Sequence, residues 1–247
     1  MPQYTPLYIV ASPQPRIGKT LLARLLIEFL LANGHKVTGY DLNPREPRLA
    51  ERFPELVSMA DIADTPGQMA LFDQLLCDKS RAVVIDLGYG LFQQFFAVVE
   101  EIGLESEARQ CSIEPVVFFI ADSLASTAQY YADLQGRLPL TAFVPVHNES
   151  TSVIFSPRDF PPSRPDHGVV RLPRLSPAVS GVIHRPKFSF RDHIAKQHGA
   201  RTELHDWTGD IFTAFRELEL RLLMGKVAAA LRSNVAAAPA PRHASRP

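Results

Sequence analysis

The chain has no apolar run approaching the ~18 residues that a membrane span requires, which argues against a transmembrane segment. Cysteine is nearly absent. Cys77 and Cys111 stand far apart, with no C-x-x-C spacing and no histidine pattern around them. This argues against a disulfide framework or a zinc site and predicts two reduced, at least partly buried thiols. Net charge is missing too. Twenty-six basic residues balance 26 acidic ones and the pI is near 7.1, so no global field calls for a nucleic acid or a membrane. The opening Met1-Pro2-Gln3 carries no charged leader, so the expectation is no secretory signal and a cytoplasmic protein. What the chain does have is 46% hydrophobic residues over 247 positions, enough for one substantial α/β core with a tail to spare.

Short apolar runs alternate with helical periodicity. Leu7–Ala11 reads as a buried parallel strand, and Leu21–Asn33 as a helix with Leu22, Leu25, Leu26, Phe29 and Leu30 on one stripe, stopped by Gly34. Further strands are predicted at Lys36–Tyr40, Ala82–Ile85, Pro115–Ala121 and Leu140–Val146, with helices at Phe92–Ile102 and Ser123–Gln135. The alternation predicts an α/β fold: a mostly parallel, doubly wound sheet with helices on both faces. Pro157–Pro186 is crowded with proline and reads as ordered loop near the site, with Val169–Leu172 as a last short strand. Asp206–Ser233 reads as a long helix, on which Ile211, Phe215, Leu218 and Leu222 are spaced four, three and four. The predicted organisation is an α/β domain over 1–205, a C-terminal helix over 206–233 packed on the domain or a partner, and a disordered Ala/Pro-rich tail over 234–247.

The most informative stretch is Tyr8-Ile-Val-Ala-Ser-Pro-Gln-Pro-Arg-Ile-Gly-Lys-Thr20. An apolar strand, a tight loop and Gly18-Lys19-Thr20 opening a helix form the layout of a phosphate-binding loop. Backbone N–H groups and the helix N-terminus face the anion, Lys19 adds a point charge, and Thr20 offers a hydroxyl to Mg²⁺. Leu21 continues the loop into the helix. The first glycine of G-x-x-x-x-G-K-[ST] is replaced by Pro13, so the loop is a variant form. Ligands of doubly wound sheets sit at the carboxyl ends of the strands, where Ser12, Asp41, Asp86 and Asn148 all fall. Asp86 follows Ala-Val-Val-Ile, as a Walker B carboxylate does, and is the candidate to hold Mg²⁺ through water. Gly88 stands where a backbone N–H would approach a γ-phosphate, and Asp41 is the candidate to orient attacking water or to stand behind the metal's direct ligands, the structural alternative being that it caps the next turn. Asp64-Thr65-Pro66-Gly67 spells the D-x-x-G of a GTPase switch, but no N-K-x-D follows. An ordinary turn with a helix start explains it better.

With these residues in hand, the chain resembles the ParA/MinD P-loop ATPases and, more broadly, the dethiobiotin synthetases and cobyrinate amidating enzymes. The deviant loop K-G-G-x-G-K-[ST] aligns with Gln14-Pro15-Arg16-Ile17-Gly18-Lys19-Thr20, and the synthetase loop aligns with Ser12–Thr20. Asp41-Leu42-Asn43-Pro44 is similar to D-x-D-P with asparagine in place of the second acid. The resemblance implies ATP and Mg²⁺ as cofactors and a homodimer when ATP is bound. It also implies slow hydrolysis and a partner whose positioning or assembly is controlled. It further implies that Asn148 contacts the base and that Phe188-Ser189-Phe190 lies in the segment laid against adenine. The signature lysine of the group is Gln14 here, and two loop glycines are Pro15 and Arg16, which stiffen the loop. Arg16 is the candidate to replace the missing charge, as an arginine finger does. The alternatives are an ATP-dependent ligase of the synthetase type and a scaffold that has lost catalysis. No acid follows Glu219, whereas Arg221, Lys226, Arg232, Arg242 and Arg246 do. Core or partner packing is the first reading of the C-terminal helix, with weak nucleic-acid or membrane-surface binding as the others.

Overall fold

The computed structural model describes residues 5–77, 80–152, 154–164, 167–196 and 202–236. Seven strands form one sheet in the order β3-β2-β4-β1-β5-β6-β7, all parallel. They are β1 (Thr5–Ala11), β2 (Val37–Leu42), β3 (Val57–Met59), β4 (Ala82–Leu87), β5 (Ile113–Ala121), β6 (Ala142–Asn148) and β7 (Val170–Leu172). Every inner strand is apolar on both faces, because helices cover the sheet on each side. Within β1 the two-residue period sorts the side chains. Tyr8 and Val10 pack under α1 (Lys19–Ala32), while Leu7, Ile9 and Ala11 face α4 (Phe92–Glu101) and α6 (Ala125–Arg137).

The connections reverse direction between β1 and its neighbour β4, so the loops after these two strands open onto the same crevice. β2 and β4 each extend two residues beyond the expected ends, since their ladder continues through Asp41 opposite Asp86 and Leu42 opposite Leu87. Both carboxylates therefore sit inside the sheet edge rather than in the loops after it. α1 begins at Lys19, two residues early, because Gly18 adopts a left-handed conformation at its N-cap; Gly34, also left-handed, follows its end.

β3 has no counterpart in the periodicity analysis, being three residues long with Ser58 and Met59 exposed at the sheet edge. Also added are α2 (Arg48–Arg52), α3 (Thr65–Cys77), α5 (Leu104–Gln110), α7 (Pro177–Ile183) and α8 (Phe190–Ala195). Asp64 accepts a hydrogen bond from Gly67 N at 2.8 Å as α3 begins, so the D-x-x-G match is a helix start. Cys77 is exposed, contrary to expectation. It ends α3 beyond the face formed by Leu71, Phe72 and Leu75, whereas Cys111 is half-buried against the core.

The last helix, α9, spans Glu203–Ala236, longer at both ends than expected. Trp207, Ile211, Phe215, Leu218 and Leu222 join the α1 side of the core, and Glu219 accepts a hydrogen bond from the Tyr8 hydroxyl at 2.9 Å. The expected tail thus begins inside a helix, and its remainder, 237–247, with Arg242 and Arg246, lies outside the described residues. No helix among the described residues is long and apolar enough to cross a membrane.

Candidate functional site

The loop between β1 and α1 is anchored by Ile17, which is buried, and by Ser12, whose Oγ accepts from Gln14 N at 3.3 Å. Arg16 and Gly18 both take positive φ, 55° and 101°. Glycine tolerates that conformation freely; arginine there carries a strain of roughly 1–2 kcal/mol. Gly18 is also fixed by space, because a Cβ at this position would lie 2.5 Å from Asn148 Nδ2. Asn148 itself is buried, with Nδ2 donating to Ile17 O at 3.0 Å and Oδ1 accepting from Ser150 N at 3.1 Å. The asparagine at the end of β6 therefore buttresses the back of the loop. Nδ2 and Oδ1 each make one hydrogen bond there, to the loop and to the turn after β6.

Lys19 and Thr20 meet Asp86 at the mouth of the crevice. Thr20 Oγ1 donates to Asp86 Oδ2 at 2.6 Å, and Lys19 Nζ donates to the carbonyl of Gln14. Burial lowers the Lys19 pKa to about 8, with Asp86 opposing the shift. Burial likewise raises the Asp86 carboxyl to about 7, and Asp41 adds to this while Thr20 and Lys19 oppose it. Each charge is thus disfavoured by desolvation more than its neighbour restores. An incoming anion beside Lys19 and a cation beside Asp86 would favour both ionised forms. Among the described residues no three His, Cys, Asp or Glu side chains group to hold a metal ion. A hydroxyl touching one carboxylate does suit Mg²⁺, which takes few protein ligands and completes its shell with phosphate oxygens and water.

Two candidate residues have other engagements. Asp41 is buried, with Oδ1 accepting from Asn43 N at 3.0 Å and Oδ2 from Leu49 N and Ala50 N at 2.9 and 3.1 Å. Both of its oxygens are committed to the backbone, so the carboxylate pins the β2–α2 turn and the start of α2; burial still raises its pKa. Gly88 donates its N–H to Leu42 O at 3.2 Å, where a side chain would collide with that carbonyl, so the amide is already used. Gln14, at the position of the signature lysine, turns its side chain towards Thr127 Oγ1 at 3.3 Å. Pro15 and Arg16 are exposed at the loop tip.

The cavity in front of the loop has a volume of about 930 Å³. Pro15–Leu21, Asp86, Gly88 and Tyr89 form one end, and the β2–α2 segment and the Ile183-His184 pair enclose the rest. Two features were not drawn from the sequence. One is Arg24, on α1 and nearly buried. It pairs with Glu28 at 3.0 Å, donates to Ile183 O at 2.6 Å and to Phe188 O, and lies 4.5 Å from the Phe190 ring centre and 5.3 Å from that of Phe188. The aromatic segment expected to cover adenine is thereby clamped to α1 through a guanidinium. A charged pair four residues apart inside the apolar stripe of α1 was the available signal. The other is the arginine series 45, 48 and 52, visible in the sequence but ambiguous until α2 placed it on the cavity wall.

No family model matches the sequence, and no curated protein matches it. The structure does have a likeness among solved ones. It superposes on a chain of the MinC:MinD cell division protein complex from Aquifex aeolicus with a TM-score of 0.54, at 13% sequence identity, over 90% of this chain and 96% of that chain. The fold is of the MinD type. At this identity the likeness is one of fold: an α/β chain built on a parallel sheet.

Proposed function

We propose that this protein is a ParA/MinD-like nucleotide-binding switch that takes ATP and Mg²⁺ in the loop over Ser12–Leu21. The observation that carries the reading is the Thr20–Asp86 contact at 2.6 Å beside Lys19, at the N-terminus of α1 and at the point where the strand connections reverse. Lys19 and the loop amides would bind the β- and γ-phosphates, and Thr20 and Asp86 would hold the metal, which when bound neutralises phosphate charge. With both Asp41 oxygens committed to backbone, its contribution is to hold the β2–α2 turn in place. Turnover is then slow, and the lifetime of the bound state carries the signal. Arg16, exposed at the loop tip, is the residue to reach a nucleotide in its own or a partner subunit. ATP would join two subunits face to face and thereby control a partner's positioning or assembly.

A single experiment tests this. Calorimetry with Mg·ATP and Mg·ADP, with light scattering on the same samples, should give binding of both and dimerisation with ATP alone. Lys19→Ala should abolish the binding. Unchanged ATP affinity in that variant would remove the loop assignment, and dimerisation that persists in it would remove the switch. The size and basic lining of the cavity favour a second reading, an ATP-dependent ligase, which predicts a constant oligomeric state and turnover dependent on a small carboxylic substrate.

A further inference from the structure

The cavity is more basic than a phosphate loop requires. Besides Lys19 it is faced by Arg16, Arg24, Arg45, Arg48 and Arg52, and among the described lining residues the acids are Glu46 and Asp86. A metal-bound triphosphate neutralises only part of that charge. The excess is not spread evenly. Arg24 is satisfied by Glu28 and two carbonyls, and Arg52 is tied to the carbonyls of Arg185 and Phe188. Arg48 has only an exposed partner, Glu46, at 3.0 Å, and Arg45 makes no ion pair among the described residues. Arg24 and Arg52 converge on the same carbonyl, and the Arg24 pKa is lowered chiefly by burial and further by the Arg52 charge.

Arg45, Arg48 and Arg52 recur at intervals of three and four, so a helical turn and its approach bring them to one wall. Asp41 pins the backbone of that wall through its hydrogen bonds to Asn43, Leu49 and Ala50, so the points from which the arginines project are set before any ligand arrives. Guanidinium groups grip carboxylates and phosphates through paired N–H donors, which a lysine cluster does not do. We propose that Arg45 and Arg48 form a second anion subsite beside the phosphate loop, with Arg52, held by its two carbonyls, adding positive charge to the same wall, and that its ligand is a small molecule bearing a carboxylate or a phosphate group. A concave space of about 930 Å³ fits a nucleotide together with a small anion. The inference rests on the nucleotide reading only in that both ligands share one cavity.

The test titrates inorganic phosphate, and separately citrate, into the full-length protein by calorimetry, with and without saturating Mg²⁺ and a non-hydrolysable ATP analogue. One anion should bind while the nucleotide is in place. Arg45→Ala/Arg48→Ala, two exposed positions, should weaken that binding roughly tenfold or more and change nucleotide affinity by less than about threefold. Lys19→Ala should do the reverse. A thermal melt coincident with the unmodified protein's verifies folding of the double variant. Tighter phosphate than citrate would mark a phosphoryl ligand, and the opposite a carboxylate. Competition between anion and nucleotide for a single site, no anion binding, or unchanged anion affinity in the double variant would each overturn the subsite, as would binding of duplex DNA alone. If no nucleotide binds but the anion does, and the double variant loses it, the nucleotide reading fails and the subsite stands.

Discussion

Replacing Asp86 by asparagine should make the protein more stable at neutral pH while removing its use for metal. The carboxyl ionises near 7 in the folded protein against an ordinary 3.8, chiefly because it is buried in the sheet. Between those values the folded state holds a proton that the unfolded chain has lost, so stability falls as pH rises from about 4 to 7 and is flat beyond. At 1.36 kcal/mol per pH unit the full span is about 4 kcal/mol, of which roughly 2–3 kcal/mol falls between about pH 5 and about pH 8. Lys19, lowered to about 8, acts in the opposite sense at higher pH: stability rises as pH climbs from there towards 10.5. Asparagine keeps an oxygen for the Thr20 hydroxyl but carries no charge, so Asp86→Asn should lack this pH slope. Urea denaturation of both proteins at about pH 5 and about pH 8 gives the difference of differences, expected at roughly 2–3 kcal/mol in favour of the variant at the higher pH. The same variant should lose any gain in nucleotide affinity brought by Mg²⁺. Equal pH slopes in the two proteins would refute the claim that this buried carboxylate carries the penalty.

Other perturbations follow from the same geometry. Asp41→Ala strands three backbone N–H groups, two of them at the start of α2, and should lower stability by about 2 kcal/mol, or roughly 4–8 °C in Tm. An unchanged melt would mean that Asp41 is not holding the turn. Gly18→Ala meets both a φ of 101° and a 2.5 Å approach to Asn148 Nδ2. Adding Asn148→Ala should restore only part of the lost stability, because the backbone strain remains; full restoration would remove the conformational argument. Arg24→Met leaves Glu28 buried without its cation and should cost about 3–5 kcal/mol, whereas Arg24→Met/Glu28→Met should recover only part of it in a double-mutant cycle, because the carbonyls of Ile183 and Phe188, the Ser189 hydroxyl and the Arg191 N–H also lose their partners. Additive losses would mean that the pair is not coupled.

The local code was legible wherever physical chemistry is local. Strand β1, the glycine-opened helix after it, Asp86 at the end of an apolar run and the long apolar face of α9 are all written in spacing and residue type. Lys19, Thr20 and Asp86 were named on those grounds, and the fold brings them together. What the chain alone left open was which polar groups would find partners across the sheet. Asp41 and Asp86 look alike as acids after apolar runs. Their ladder sets them side by side, yet one is consumed by three backbone N–H groups and the other faces a hydroxyl and a lysine. Asn148 and Gly88 likewise stand at the expected strand ends, but their hydrogen bonds run to Ile17 and Leu42. Strand β3 escaped because three residues on a sheet edge have no periodicity to read, and its place is set by pairing with β2.

The sequence by itself determined the α/β class and picked out the loop and the residues proposed to meet an anion and a divalent cation, because these depend on patterns within a few residues. Only the tertiary structure decided which of those residues remain available, and that Arg24, Arg45, Arg48 and Arg52 face the same cavity. Such choices depend on hydrogen bonds and burial between segments as far apart as Arg24 and Phe188, and desolvation, which lowers the Lys19 pKa and raises that of Asp86, exists only once the sheet has closed around them.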